Sequence, residues 1–254
     1  MFQVGPIIDN ARRGPFTPIQ RSDEAELLDE DVQDPDELAI NFRDIKRVNQ
    51  IFGGTSTILR LLPHLLNAMA PGQPVTVLDL ATGCGDIPVA LSRWANRRGV
   101  PITIIASDAS DDILELARRE IGSNPDITLA RHDARSVPLP DKHVHIVLCS
   151  LSLHHFPADE AVQVLREMDR LARVGFILND LRRSRLGYAG AWIAAHLATR
   201  NRLTRNDAPL SVRRAYTPEE LGLLLKRAGI DEAAVSKHLW FRMAALKLGE
   251  PSGA

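Results

Sequence analysis

Two periods of apolar residues alternate along the 254-residue chain. From Pro35 onward, Leu38, Phe42, Ile45, Val48 and Phe52 recur every three to four residues, and Arg43, Lys46 and Arg47 fall between them. That spacing predicts an amphipathic helix, closed by Gly53-Gly54. A second helix is expected from a Thr55-Ser56 cap, carrying Leu59, Leu62 and Leu65, bent at Pro63 and ended by Pro71-Gly72. The period then changes. The runs 75–80, 102–107, 126–130, 145–150 and 175–180 are short and rich in β-branched residues, with helix-length stretches between them. Helices are expected over 86–98, 110–121 and 158–171. Strands alternating with helices predict parallel pairing with helices on both faces.

The tail breaks this rhythm. It reads as a helix over 184–199, an Arg-rich loop to Tyr216, a helix opened by Thr217-Pro218-Glu219-Glu220, and strands near 231–237 and 239–247. The expected fold is therefore α/β: a doubly wound, mostly parallel, seven-stranded sheet with an N-terminal helical extension and a helical cap after the fifth strand. The division expected is 1–70 as arm and covering helices and 71–254 as the main domain, with 181–216 as the cap.

The candidate chemistry sits where the first strand ends. Residues 77–86, VLDLATGCGD, run from a buried strand through an acid into a Gly-rich turn before a helix. Small residues there let backbone N–H groups approach a ligand at a helix N-terminus; taken alone, the glycines would equally serve a tight turn. In such folds ligands lie beyond the carboxyl ends of the strands, where strand order reverses. Asp79, Asp108 and Asp133 stand at or just beyond three such ends. An acid after the second strand suits a ribose diol, since a carboxylate accepts from both hydroxyls; Asp108 would also serve as a helix cap.

This pattern resembles the class I S-adenosylmethionine-dependent methyltransferases. DLATGCGD and SLSLHHF (150–156) are most similar to the ubiquinone/menaquinone-biosynthesis type. The resemblance implies S-adenosyl-L-methionine as cofactor, with Ala81, Gly83 and Gly85 beside its methionine part, following Asp79. It further implies Asp108 on the ribose, Asp133 on the adenine amino group, Ala109 and Ala134 along the ring, and Leu151 near the sulfonium. Two positions depart from the usual pattern: Ala81 replaces the first glycine, and His145 replaces an acid before the fourth strand. A nicotinamide dehydrogenase would need GCGDIP to serve as GxGxxG, which puts Pro88 where the third glycine belongs.

Methyl transfer from a sulfonium is a direct displacement, so alignment and exclusion of water matter most. A phenolic or hydroxyl acceptor also benefits from a base near neutral pKa, and His154 and His155 lie just past the fourth strand. The alternative is that they only shape the cofactor pocket. Leu186, Tyr188, Ala189, Trp192, Ile193 and His196 are candidates to line an acceptor pocket or, equally, to form core.

Composition narrows the partners. With 31 basic and 32 acidic residues there is no chain-wide field for nucleic acid or an anionic membrane. Eight arginines between Arg182 and Arg214 stand against nine acids between Asp23 and Glu37. They read as two solvated stretches, as an acidic arm docked on a basic cap, or as a nucleic-acid surface with few aromatics. Cys84 and Cys149 have no metal or redox spacing, and no stretch approaches a membrane span. The expectation is a cytoplasmic enzyme that methylates a small-molecule acceptor, at oxygen or carbon of a phenolic, quinone-like or polyketide-like compound, without membrane or nucleic-acid partners. A non-catalytic cofactor-binding protein and an RNA methyltransferase are the alternatives.

Overall fold

The computed structural model describes residues 19–29 and 34–249. Expectations for 1–18 and 30–33, the start of the arm and part of its acidic run, lie outside the described residues.

Seven strands form one sheet: β1 (Val75–Leu80), β2 (Ile102–Asp108), β3 (Ile127–Arg131), β4 (Val144–Ser150), β5 (Ala172–Leu181), β6 (Ala234–His238) and β7 (Arg242–Leu248), in the order β3-β2-β1-β4-β5-β7-β6. The first five pair in parallel, and β7 runs antiparallel between β5 and β6. Central strands are apolar on both sides because both sides are covered. Val77, Ile104 and Ile146 pack under α2 (Gly54–Leu66) and α3 (Asp86–Asn96), with α4 (Asp111–Ile121) beside them. Leu78, Val147 and Phe176 pack under α5 (Ala158–Leu171) and α8 (Pro218–Ala228). Strand order reverses between β1 and β4, which puts the ligand crevice at their carboxyl ends.

The helix α1 (Pro35–Ile51) begins as expected, with the Asp34 side chain accepting from the N–H groups of Asp36 and Glu37. Its buried face is more polar than the apolar spacing implied. Leu38 and Phe42 are buried together with Asn41, Asp44 and Asn49, whereas Val48 is exposed. Those polar side chains have partners elsewhere in the fold, so burial follows hydrogen bonding as well as hydrophobicity. Gly53, in the left-handed region, caps α2 in place of the expected Thr55-Ser56.

The Arg-rich stretch after α6 (Arg185–Ala198) is not a loop. It is α7 (Arg202–Arg214), capped by the Asn201 side chain on the Thr204 N–H and anchored by Leu203, Leu210 and Val212. Pro209 and the scattered arginines hide this helix in the sequence; in the fold it packs against α6, α1 and the arm. Among the described residues no helix is long and apolar enough to cross a membrane.

Candidate functional site

At the end of β1 the chain enters the crevice under strain. Ala81 has φ 50, and across the order reversal Leu151, at the end of β4, has φ 55. Each left-handed non-glycine residue costs about 1–3 kcal/mol, and such strain collects at functional sites. Gly83 (φ 57) and Gly85 (φ 78) complete the turn. A Cβ on Gly83 would meet the Phe42 ring at 3.2 Å, and one on Gly85 would meet Ile121 at 3.0 Å, so the loop is pressed between α1 and α4.

Below the loop, Asp79 is buried. One of its oxygens accepts from Thr82 Oγ1 at 2.6 Å, while Oδ1 has no partner. Burial pushes its carboxyl up to about 7, against the Thr82 hydrogen bond, with Asp86 and Asp108 adding to the rise. An acid raised in the fold contributes stability that is fully present below its unfolded value near 4 and lost as pH rises through about 7. Asp79→Asn removes this dependence, so its stability relative to wild type should rise between pH 4 and pH 8. Urea unfolding at the two pH values checks this; an unchanged difference contradicts it.

Asp108 closes β2 beside the loop. It accepts from the Gly83 N–H at 3.1 Å and the Ser110 N–H at 3.2 Å, and burial raises its pKa against those bonds. Ala109 follows directly, its carbonyl accepting from Arg131. Asp133 lies farther out and is less buried; Arg135 grips its carboxylate, at 2.7 Å from NH2, and holds its pKa down. Ala134, next to it, is buried. His145, where relatives of the resemblance carry an acid, accepts the Thr76 N–H at Nδ1 and is kept neutral by burial and by Arg173.

Past Leu151, the 3-10 turn Leu153–His155 carries the histidine pair over the crevice. His154 is buried. Its Nδ1 lies 2.7 Å from Asp180 Oδ1, and its backbone N–H donates to Asp180 Oδ2 at 3.0 Å. Burial opposes ionisation of Asp180, but His154 and the surrounding N–H donors hold its pKa below the ordinary value. The Asp180 carboxylate therefore accepts from Nδ1 and sets the ring so that Nε2 turns to Glu26. His155 Nδ1 lies 2.9 Å from Asp29 Oδ1. Burial lowers the His155 pKa, but Glu26 and Asp29 outweigh it and bring it to about 9.

Glu26 and Asp29 come from the arm, which crosses the site and packs on α7. Asp207 accepts the N–H groups of Leu27 and Leu28, at 2.9 and 3.0 Å. Ser211 donates to Glu26 at 2.9 Å, and Arg213 lies 4.0 Å from Glu24. Arg214 bridges Asp29 (2.7 Å) and the His155 carbonyl (2.7 Å), and Arg21 reaches the carbonyls of His154 and Phe156. The docking of acidic arm on basic cap is present, and it closes over the histidines. Sequence reasoning did not single out Glu26, Asp29 or Arg214, since acids and arginines in charged runs look solvated.

Of the proposed lining residues, Tyr188, Trp192 and His196 border a cavity of about 260 Å³ between α6, α7 and the arm, with Arg205, Arg213 and Glu24 opposite. Leu186, Ala189 and Ile193 face outward.

Residues 77–175 match the model of a methyltransferase domain family. The chain is 28% identical over 115 residues to a ubiquinone/menaquinone biosynthesis C-methyltransferase of Shewanella frigidimarina, covering 44% of each. It is 33% identical over 104 residues to a demethylmenaquinone methyltransferase of Deinococcus radiodurans, covering 41% of each. The match thus spans less than half the length of these relatives. In fold it is similar to a SAM-dependent methyltransferase of Aquifex aeolicus, with TM-score 0.55 and 16% identity over 85% of this chain and 98% of the other.

Proposed function

We propose that this chain, a class I S-adenosylmethionine-dependent methyltransferase by its domain and its sheet, methylates a small phenolic, quinone-like or polyketide-like molecule at oxygen or carbon. The observation that carries this is the convergence, at one strand-order reversal, of a strained Gly-rich loop, the Asp108 carboxylate and the His154–Asp180 pair.

The residues present fit the cofactor. Asp108 offers a carboxylate to a ribose diol; Asp79 holds a buried oxygen without a partner; Gly83 and Gly85 keep backbone where a Cβ would collide. Asp133 would accept from the adenine amino group, and Ala109, Ala134 and Leu151 would line the ring and the sulfonium end. When bound, the cofactor supplies an electrophilic methyl group. The protein's part is to align the acceptor, exclude water and handle its proton.

That last part falls to the histidine pair. His154, oriented by Asp180 through Nδ1 with Nε2 left to the site, suits removal of a proton from a phenol or an acidic carbon. His155, held by Asp29 and charged below about pH 9, suits stabilisation of the resulting anion. Glu26, Asp29 and Arg214 close the site from above, and the cavity edged by Tyr188, Trp192 and His196 is the entrance we assign to the acceptor. Tyr188 and Trp192 on one wall of that cavity offer ring faces to a small aromatic acceptor, and Arg205 and Arg213 offer donors to its oxygens.

The test of the cofactor assignment is Asp108→Ala. Losing an ionic acceptor of two hydroxyls costs about 1.5–3 kcal/mol, so the Kd for S-adenosylhomocysteine should rise about tenfold to 150-fold. Titration calorimetry with an unchanged Kd contradicts the role of Asp108.

A further inference from the structure

We propose that Glu26, His154 and His155 bind one divalent transition-metal ion of the zinc, cobalt or ferrous kind. The ligand atoms of these three side chains lie within 4.8 Å of one another. His154 Nε2 is 3.7 Å from Glu26 Oε1, and His155 Nε2 is 3.8 Å from Glu26 Oε2. These gaps exceed hydrogen-bond length. Bonds of about 2.1 Å to a shared ion would give ligand separations of about 3.4 Å in a tetrahedral site, so each imidazole stands about 0.3–0.4 Å beyond that span from its nearer glutamate oxygen, and the ligand atoms of all three groups lie within 4.8 Å.

What surrounds the three groups points the same way. A histidine that binds metal donates its other ring N–H to a carboxylate or carbonyl, which fixes the tautomer and aims the lone pair. Both histidines have this support, from opposite sides: Asp180 on His154 Nδ1 at 2.7 Å and Asp29 on His155 Nδ1 at 2.9 Å. The pairing leaves both Nε2 atoms turned to the same glutamate. Ser211 Oγ holds Glu26 Oε1 at 2.9 Å, and Glu26 is nearly fully buried. Arg214 is taken up by Asp29 and the His155 carbonyl, and the Glu26 carboxylate faces Ser211 and the two imidazoles. Two imidazoles and one carboxylate are a donor set for borderline ions and a poor one for Mg²⁺ or Ca²⁺, which take oxygen ligands. Three protein ligands leave a position open for a further donor.

The ion's role in turnover rests on the acceptor position proposed above; its binding does not. An acceptor hydroxyl at the open position would release its proton to water, and its oxygen would take the methyl carbon as the carbon–sulfur bond breaks with the electron pair left on sulfur. His154 and His155 would then hold the ion as neutral imidazoles, the ion displacing the proton of His155, so the ion would take over the anion-stabilising charge and direct proton transfer to Nε2 would not be needed.

The test is a Co²⁺ titration of the chelator-treated full chain, read by the visible bands of the bound ion. The expected result is one Co²⁺ per chain, displaced by Zn²⁺ and not by Mg²⁺. Glu26→Gln and His155→Gln should abolish the bands, and Asp29→Asn and Asp180→Asn should each weaken binding by about tenfold to a hundredfold. Circular dichroism selects the variants that fold, and any one folded ligand variant suffices for the comparison. Absent bands in the wild type, or bands and affinity unchanged in Glu26→Gln or His155→Gln, overturn the site. Calorimetry with S-adenosylhomocysteine on the same metal-free protein reports separately on the cofactor assignment: homocysteine-product binding without cobalt binding overturns the metal site alone, and cobalt binding without product binding overturns the methyltransferase reading alone.

Discussion

Replacing His154 with glutamine is expected to lower kcat on the true acceptor by about a hundredfold or more, with no change in affinity for S-adenosylhomocysteine. The magnitude is that of a lost positioned acid–base group. Glutamine keeps polarity and approximate size, and Asp180 keeps the backbone N–H donors of residues 154 and 181, so the buried carboxylate is not left unpaired. The site's only loss is then the Nε2 lone pair. A phenol with pKa near 10 is mostly protonated at neutral pH, which is why that lone pair, used directly or on an ion, is expected to govern the rate. His155→Gln is the companion variant. Steady-state kinetics together with calorimetry separate the outcomes: unchanged kcat in both variants, or activity lost only in proportion to cofactor binding, would show that the pair merely shapes the pocket.

A second large effect is expected on stability. Arg214 is buried and joins three pieces of chain: the arm through Asp29, the turn after β4 through the His155 carbonyl, and its own helix α7. Arg214→Met keeps the apolar stem and removes the fork. Breaking a buried ion pair typically costs 3–5 kcal/mol, and because Asp29 is partly exposed and retains His155, about 3 kcal/mol is expected. For a chain of this size that corresponds to a drop in Tm of roughly 6–12 °C. The arm should also become more open to proteolytic cleavage, even though Asp207 and Ser211 still tie it to α7. Equal Tm and equal resistance to protease would mean that Arg214 does not hold the arm closed.

The sheet was legible in the sequence because parallel central strands must be apolar on both faces, and 75–80, 102–107 and 145–150 are short apolar runs with little else to be. The Gly-rich loop and Asp108 were legible because strand ends in such a fold place residues at the crevice whatever the rest of the chain does. The closing elements were not. The helix α7 carries Pro209 and four arginines, Arg202, Arg205, Arg213 and Arg214, and it packs on α6 as well as on α1 and the arm, so its own apolar spacing does not announce it. Glu26 and Asp29 sit in an acidic run whose bland expectation is solvation. Their partners, Ser211, His155 and Arg214, are more than a hundred residues away, and no local period announces such pairs. The histidines were found by position alone; Asp180 and the arm, which give each ring its orientation, came only with the fold.

The central claim is that the crevice between β1 and β4 binds S-adenosylmethionine. Titration calorimetry of the purified chain with S-adenosylhomocysteine, repeated with NADH, tests it most directly. One binding site for the homocysteine product and no heat with NADH is the expected result; no heat with S-adenosylhomocysteine or S-adenosylmethionine, with NADH bound, would contradict it.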